Sequence, residues 1–177
     1  EQIHYMRKYY NFVTMEEVIY SIDNEKTIPD KSILLTFDDA YMDHYSTVFP
    51  ILDKYDIQGS FYVPSKAITE HTVLDVNKIH FILAAVKDKS KLVNELKKLI
   101  KVYQKVYSLQ NFDYYYKKLA RASVLDTKDV IFIKRLLQVE LVENLRIKII
   151  NILFEQYVGV SENAFSRELY MNEEQLE

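Results

Sequence analysis

Residues 33–64, ILLTFDDAYMDHYSTVFPILDKYDIQGSFYVP, decide the fold. The apolar run 33–37 is closed by Asp38 and Asp39, the pattern of a strand buried on both faces. Residues 45–55 read as a helix with Val48, Phe49, Leu52 and Tyr55 on one side, and Gly59 leads into a second short strand, 60–63. Strand, helix and strand in about 30 residues make a βαβ unit, which implies a parallel sheet. Two carboxylates placed where a buried parallel strand ends lie at the carboxyl face of the sheet, where α/β and barrel enzymes carry their sites. Adjacent side chains leaving a strand point in different directions, so Asp38 and Asp39 can divide their labour, one binding a cation and the other facing a substrate water. A plain turn with an N-cap for the next helix would use the same two residues without any chemistry.

Outward from this unit, residues 1–12 read as the end of a helix running into a turn. Thr14 and Glu17 have the spacing of a capping box ahead of Val18, Ile19 and Ile22, and that helix stops before a loop at 27–32 containing Pro29. From Val76 onward the apolar spacing becomes helical. Ile79, Leu83 and Val86 form one stripe, Leu92, Leu96, Leu99 and Val106 a second, and a tyrosine-rich stretch covers Phe112–Leu119. Asp126 or Thr127 caps a helix carrying Ile131, Ile133, Leu136 and Leu137, and a further helix over about 143–157 ends at Gly159. Asn172, with Gln175 three residues on, marks a fresh helix start.

Composition narrows the chemistry. The 177 residues suffice for one domain or one piece of a larger one, and only two glycines and three prolines favour long helices over turns. A net charge of -3 and a charged fraction of 28% leave no field of one sign to draw in nucleic acid or anionic lipid. Cysteine is absent, so any metal must rest on His, Asp or Glu. No stretch approaches the roughly 18 unbroken apolar residues of a membrane span, and the charged start EQIHYMRKYY is unlike a signal peptide, so the chain is expected to be soluble.

TFDDAY followed by VFPILDKYDIQGSFYV resembles the first motif and next βα unit of the polysaccharide deacetylases of carbohydrate esterase family 4, the NodB-homology class, whose usual form is TFDDG followed by an aromatic residue. The preceding MRKYYNFVTMEEVIYSIDNEKTIPDKSILL resembles that family's lead-in, so the likeness spans residues 5–64. It implies an α/β fold, part of a deformed (β/α) barrel of the NodB type, with a largely helical insertion after the second strand. The expected domains are 1–74, the N-terminal part of the deacetylase domain; 75–165, the insertion; and 166–177, the start of the next barrel element, cut short.

The resemblance implies Asp38 as general base and Asp39 as metal ligand, with a divalent ion, usually zinc, as cofactor. It further implies hydrolysis of N-acetyl groups of amino sugars in a surface glycan, releasing amine and acetate, in a parent that could be associated with the cell envelope. Ala40 stands where the family has glycine, and is expected to follow only if its φ is below zero. The family completes its site with two histidines one helical turn apart. His4, His44, His71 and His80 offer no such pair, and LYMNEEQLE resembles the segment just before that motif. The expectation is therefore a truncated chain that is inactive alone.

His80 and His44 are the other candidate ligands, expected to be a packing or capping residue and a surface helix residue respectively, and Asp43 is a candidate cap for the helix after the motif. Tyr114, Tyr115 and Tyr116 could stack on sugar rings, but three consecutive helical positions point three ways, which favours packing. Lys97, Lys98 and Lys101 read as a solvated face. The helical stretch could wall a glycan groove, or hold a partner or a second copy as a homo-oligomer. A non-catalytic glycan-binding or interaction module is the alternative function. A phosphoryl-transfer enzyme with paired aspartates would need them separated by one residue, and here they are adjacent.

Overall fold

A computed structural model of the chain describes residues 1–176; Glu177, the last residue of the expected 166–177 element, lies outside them. In chain order the elements are α1 (Gln2–Tyr9), β1 (Asn11–Phe12), α2 (Met15–Asp23), β2 (Ser32–Ile33), β3 (Leu35–Asp38), a π-helical turn (His44–Val48) running into α3 (Phe49–Lys54), β4 (Gly59–Tyr62) and α4 (Ser65–Thr69). There follow α5 (Asp75–Ala85), α6 (Lys89–Tyr103), α7 (Phe112–Leu119), α8 (Lys128–Arg135) with a π-helical turn at Leu136–Glu140, α9 (Glu143–Tyr157), α10 (Glu162–Leu169) and a 3-10 turn at Glu173–Gln175. These elements form two units, one of residues 1–72 with 163–177 and one of residues 73–162. Among the described residues no helix is long and apolar enough to cross a membrane.

The first unit mixes helix and strand. β1 pairs in parallel with β2, Asn11 opposite Ser32 and Phe12 opposite Ile33, while β3 pairs in parallel with β4 from Leu35 opposite Gly59 to Asp38 opposite Tyr62. The strand, helix and strand order of β3, α3 and β4 is the expected crossover. Among the described residues the strands form two parallel pairs and no closed barrel. Three local expectations need correction. Residues 11–12 form a strand rather than a turn. The run 33–37 is interrupted at Leu34, and its two halves pair with different strands. Finally, β3 is not buried on both faces: Leu35 and Phe37 are half-buried, while Thr36 and Asp38 are exposed. Residues on one face of β3 are left exposed, so the run has cover on its other face only, unlike a central parallel strand covered by helices on both.

The second unit is helical throughout. Ile79, Ile82 and Leu83 of α5 are buried, as are Leu145, Ile149, Ile150 and Leu153 of α9, and the two helices pack on each other; α6 packs on α8 with Leu92, Leu96, Phe132 and Ile133 inside. Full burial of each such side chain contributes about 1.5–3 kcal/mol. The caps are local. Thr127 accepts from the Val130 N–H to start α8, and Asn111 accepts from Tyr114 N–H to start α7. Lys78 is buried within α5, where its ammonium lies 2.7 Å from Glu162 and donates at 2.7 Å to Asn151 Oδ1. Glu162 also accepts the Val73 N–H, so one carboxylate joins the first and last residues of the unit.

Candidate functional site

Asp38 is the last residue of β3 and is exposed; its partner in the ladder, Tyr62, is the last residue of β4. The pair of aspartates therefore sits at the carboxyl end of the parallel strands, as expected from sequence. The helical turn that follows begins at His44 with Asp43 before it, so neither Asp38 nor Asp39 caps it. Asp43 holds the cap position but makes no side-chain cap hydrogen bond, contrary to expectation.

The backbone turns sharply after Asp38. Asp39 has φ of 72° and Ala40 has φ of 50°, two consecutive residues in the left-handed region. The expectation of a negative φ at Ala40 is overturned: the turn keeps a geometry suited to glycine, with an alanine in it. Ala40 is wholly buried, and its carbonyl accepts the Met171 N–H at 2.9 Å. Tyr41 forms an antiparallel bridge with Tyr170, and their rings stack with centroids 5.8 Å apart and planes 17° from parallel. From this position the Tyr41 hydroxyl donates to Asp39 Oδ2 at 3.0 Å.

His44 is the residue that sequence reasoning misplaced. Its ring is not a surface group but lies against Phe37, Tyr41 and Phe61, with centroids 5.5, 5.6 and 5.9 Å away, and its Nδ1 is buried without a hydrogen-bond partner. Burial pushes the His44 imidazole below its usual range, against the opposing pull of Asp39, Asp43 and Asp38, which favours the neutral ring near pH 7. Phe37 and Phe61 stack at 4.9 Å and form the floor under this cluster. A cavity of about 500 Å³ opens beside His44, lined also by Phe49, Phe61, Val63 and Met171. Tyr41 and His44 stand three residues apart, close enough to meet on one side of a turn, but that spacing alone says nothing of the Phe37 and Phe61 rings that enclose His44.

The other candidates fall elsewhere. His80 is an exposed residue of α5. Tyr115 is buried, Tyr116 donates to Asp129 at 2.5 Å and stacks on Phe112, and Tyr114 is exposed, so the three tyrosines do point three ways. Of the lysines, Lys98 pairs with Glu95 on an exposed face and Lys97 lies over the Phe112 ring.

A hard divalent ion takes oxygen donors, and zinc takes oxygen and nitrogen; a catalytic zinc normally has three protein ligands. Asp39, half-buried and with only Oδ2 held by Tyr41 in this contact, fits one such ligand position. Among the described residues no three His, Asp or Glu side chains lie close enough together to hold an ion, so the residues beside Asp39 do not by themselves make a metal site.

The model of the family described as "Polysaccharide deacetylase" matches residues 25–131. The chain is also 32% identical over 59 residues to the Bacillus subtilis (strain 168) protein named "Putative polysaccharide deacetylase YxkH", a match covering 33% of this chain and 21% of that protein. The chain thus spans about a fifth of the curated relative it matches. No solved structure matches.

Proposed function

Because this chain belongs to the polysaccharide deacetylase family, we propose that it is part of a metal-dependent enzyme that hydrolyses N-acetyl groups on the amino sugars of a surface glycan. The observation that carries this reading is the adjacent Asp38 and Asp39 at the carboxyl end of the β3–β4 pair, one exposed and the other oriented by Tyr41. Asp38 is the general base. Its carboxylate takes a proton from water as the water oxygen adds to the acetamide carbonyl carbon; the carbonyl becomes a tetrahedral oxyanion, the C–N bond then breaks, and the proton passes to the departing nitrogen. The products are acetate and a free amine.

Asp39 is one ligand of the divalent ion, zinc in our reading, which when bound supplies Lewis-acid polarisation of the carbonyl. Among the described residues no second and third ligand stand beside it, and residues 1–177 alone are expected to be inactive. The strands of the first unit would be part of a deformed (β/α) barrel, with residues 1–74 and 166–177 belonging to it and residues 75–165 inserted. The insertion would wall the glycan groove or join two copies of the chain, and a surface-glycan substrate would place the protein at the cell envelope.

The test is acetate release from N-acetylglucosamine oligomers by the full-length protein with added zinc. Asp38→Asn should lower kcat by at least about a hundredfold, the usual contribution of a positioned base, with little change in KM. Glycan binding without acetate release in the unmutated protein would sink the hydrolase reading and favour a binding module. Turnover unchanged by Asp38→Asn would sink the role of Asp38.

A further inference from the structure

Helices α7 and α8 pack on each other as a hairpin, and residues 120–127 between them form its tip. Val124 is 102% exposed and Leu125 92% exposed, more than any other large apolar side chain among the described residues. Scattered exposed aliphatics are ordinary, but these two are adjacent and crown an ordered turn. Ser123 N–H donates to the Asp126 carbonyl at 2.9 Å, and the Ser123 hydroxyl oxygen accepts the N–H groups of Leu125 at 3.3 Å and Asp126 at 2.9 Å. Below the turn, Lys134 of α8 pairs with Asp126 at 2.8 Å, and Tyr116 of α7 donates to Asp129 of α8. The tip is therefore held in shape by polar contacts, while its two aliphatic side chains stand in solvent.

Basic residues collect at the same end of the hairpin. Residues 117–128 carry Lys117, Lys118, Arg121 and Lys128 against one acid, Asp126, although the whole chain has a net charge of -3. Lys118 pairs with Glu140, whereas Lys117, Arg121 and Lys128 are exposed and form no ion pair among the described residues. Salt confines electrostatic attraction to about 10 Å, so the local sign matters at this tip rather than the total. Two side chains on one turn fall far short of the roughly 800 Å² that each partner gives to a stable protein complex, and a lipid surface demands no matching shape. A bilayer does demand that entering backbone groups be satisfied, and the N–H groups of Ser123, Leu125 and Asp126 already are. We propose that this tip is a shallow membrane anchor: Val124 and Leu125 enter the boundary between headgroups and acyl chains of a bilayer containing anionic phospholipid, while Lys117, Arg121 and Lys128 meet its phosphate headgroups. The anchor is independent of the deacetylase reading.

The full chain of residues 1–177 contains no tryptophan, so Leu125→Trp places a lone indole at the tip. Its emission should shift to the blue on adding phosphatidylcholine vesicles that contain about a third phosphatidylglycerol, and brominated acyl chains should quench it. Vesicles of phosphatidylcholine alone should bind much more weakly, and added salt should release the chain from the mixed ones. In sedimentation of the chain without that indole, Val124→Ser with Leu125→Ser should weaken binding about a hundredfold, taking about tenfold for each aliphatic side chain. Arg121→Gln with Lys128→Gln should weaken binding to the mixed vesicles about twentyfold and leave binding to phosphatidylcholine unchanged. All four positions are exposed, so the melting temperatures should not move. Failure to sediment with the mixed vesicles, or unchanged tryptophan emission, would overturn the proposal. So would binding that the serine pair leaves intact, which would assign the contact to another apolar face. A blue shift that grows with protein concentration in lipid-free buffer would overturn it in favour of a second copy of the chain.

Discussion

Gly59→Ala tests whether the strand that carries Asp38 depends on a close approach at the start of β4. A methyl group built on Gly59 would lie 2.8 Å from Phe37 Cε2, 3.2 Å from Phe37 Cδ2 and 2.9 Å from Leu52 Cδ1. Leu52 can yield by rotating the end of its side chain. Phe37 has less freedom, because its ring stacks on Phe61 at 4.9 Å and meets the His44 ring at 5.5 Å. Overpacking of this kind costs about 1–3 kcal/mol. The lower entropy of the unfolded alanine chain returns about 0.4–1 kcal/mol, leaving a net loss of about 1.3 kcal/mol at the middle of both ranges. With a mid-range urea slope of about 2 kcal/mol per molar, the midpoint should fall by roughly 0.6 M. Urea unfolding followed by tyrosine fluorescence reads this directly, since the chain has 15 tyrosines and no tryptophan. Phe37→Leu should relieve part of the clash, so the double variant should be less destabilised than the sum of the single ones by at least about 0.5 kcal/mol. An unchanged midpoint for Gly59→Ala, or strict additivity with Phe37→Leu, would refute the steric reasoning.

Two further predictions concern the turn and a phenol. Ala40 combines a left-handed backbone with complete burial, so Ala40→Gly should exchange relief of about 1 kcal/mol of backbone strain for the loss of about 0.8 kcal/mol of methyl burial. It should leave the urea midpoint nearly unchanged, whereas Ala40→Val should lower stability by at least about 2 kcal/mol. Equal stability of the valine and glycine variants would contradict the assigned geometry. Hydrogen bonding to the Asp129 carboxylate, with smaller contributions from burial and that carboxylate's charge, pushes the Tyr116 phenol up to about 12. The folded form keeps the proton longer than the unfolded chain, whose phenol has an ordinary value near 10. The stabilisation is therefore fully present below about pH 10 and is lost as pH rises towards 12. Tyr116→Phe should show a shallower loss of stability over that window in urea titrations at several pH values, and an identical slope would exclude the bond as its source.

Features written within four residues were readable from sequence. The Thr14–Glu17 capping box makes both of its hydrogen bonds, the Asn172–Gln175 box does the same on a 3-10 turn, and Thr127 rather than Asp126 starts α8. Such bonds are set by residues that are neighbours in any conformation near a helix start. β1 was not readable because two residues show no period, and its pairing depends on Ser32 and Ile33 about twenty positions on. The exposure of β3 was hidden for a different reason: an apolar run reports what a strand can bury, while its actual cover is set by the neighbours the fold supplies.

The site divides along the same line. The position of Asp38 and Asp39 at a strand end was readable because a strand end is a local feature, but Tyr41 owes its position to Tyr170, and His44 to the rings of Phe37, Tyr41 and Phe61. The turn between them shows why such distant contacts are needed. Two consecutive non-glycine residues in the left-handed region cost about 1–2 kcal/mol each, whereas a single hydrogen bond contributes a net of about 0.5–1.5 kcal/mol. No one contact at 39–41 offsets that strain. The Met171 bond, the Tyr170 bridge and stack, the buried Ala40 methyl and the Tyr41–Asp39 bond can do so jointly. A backbone strained in this way persists only while its surroundings over-determine it. Loosening Tyr170 or Met171 should therefore release the turn that presents Asp39, even though both are about 130 residues away along the chain.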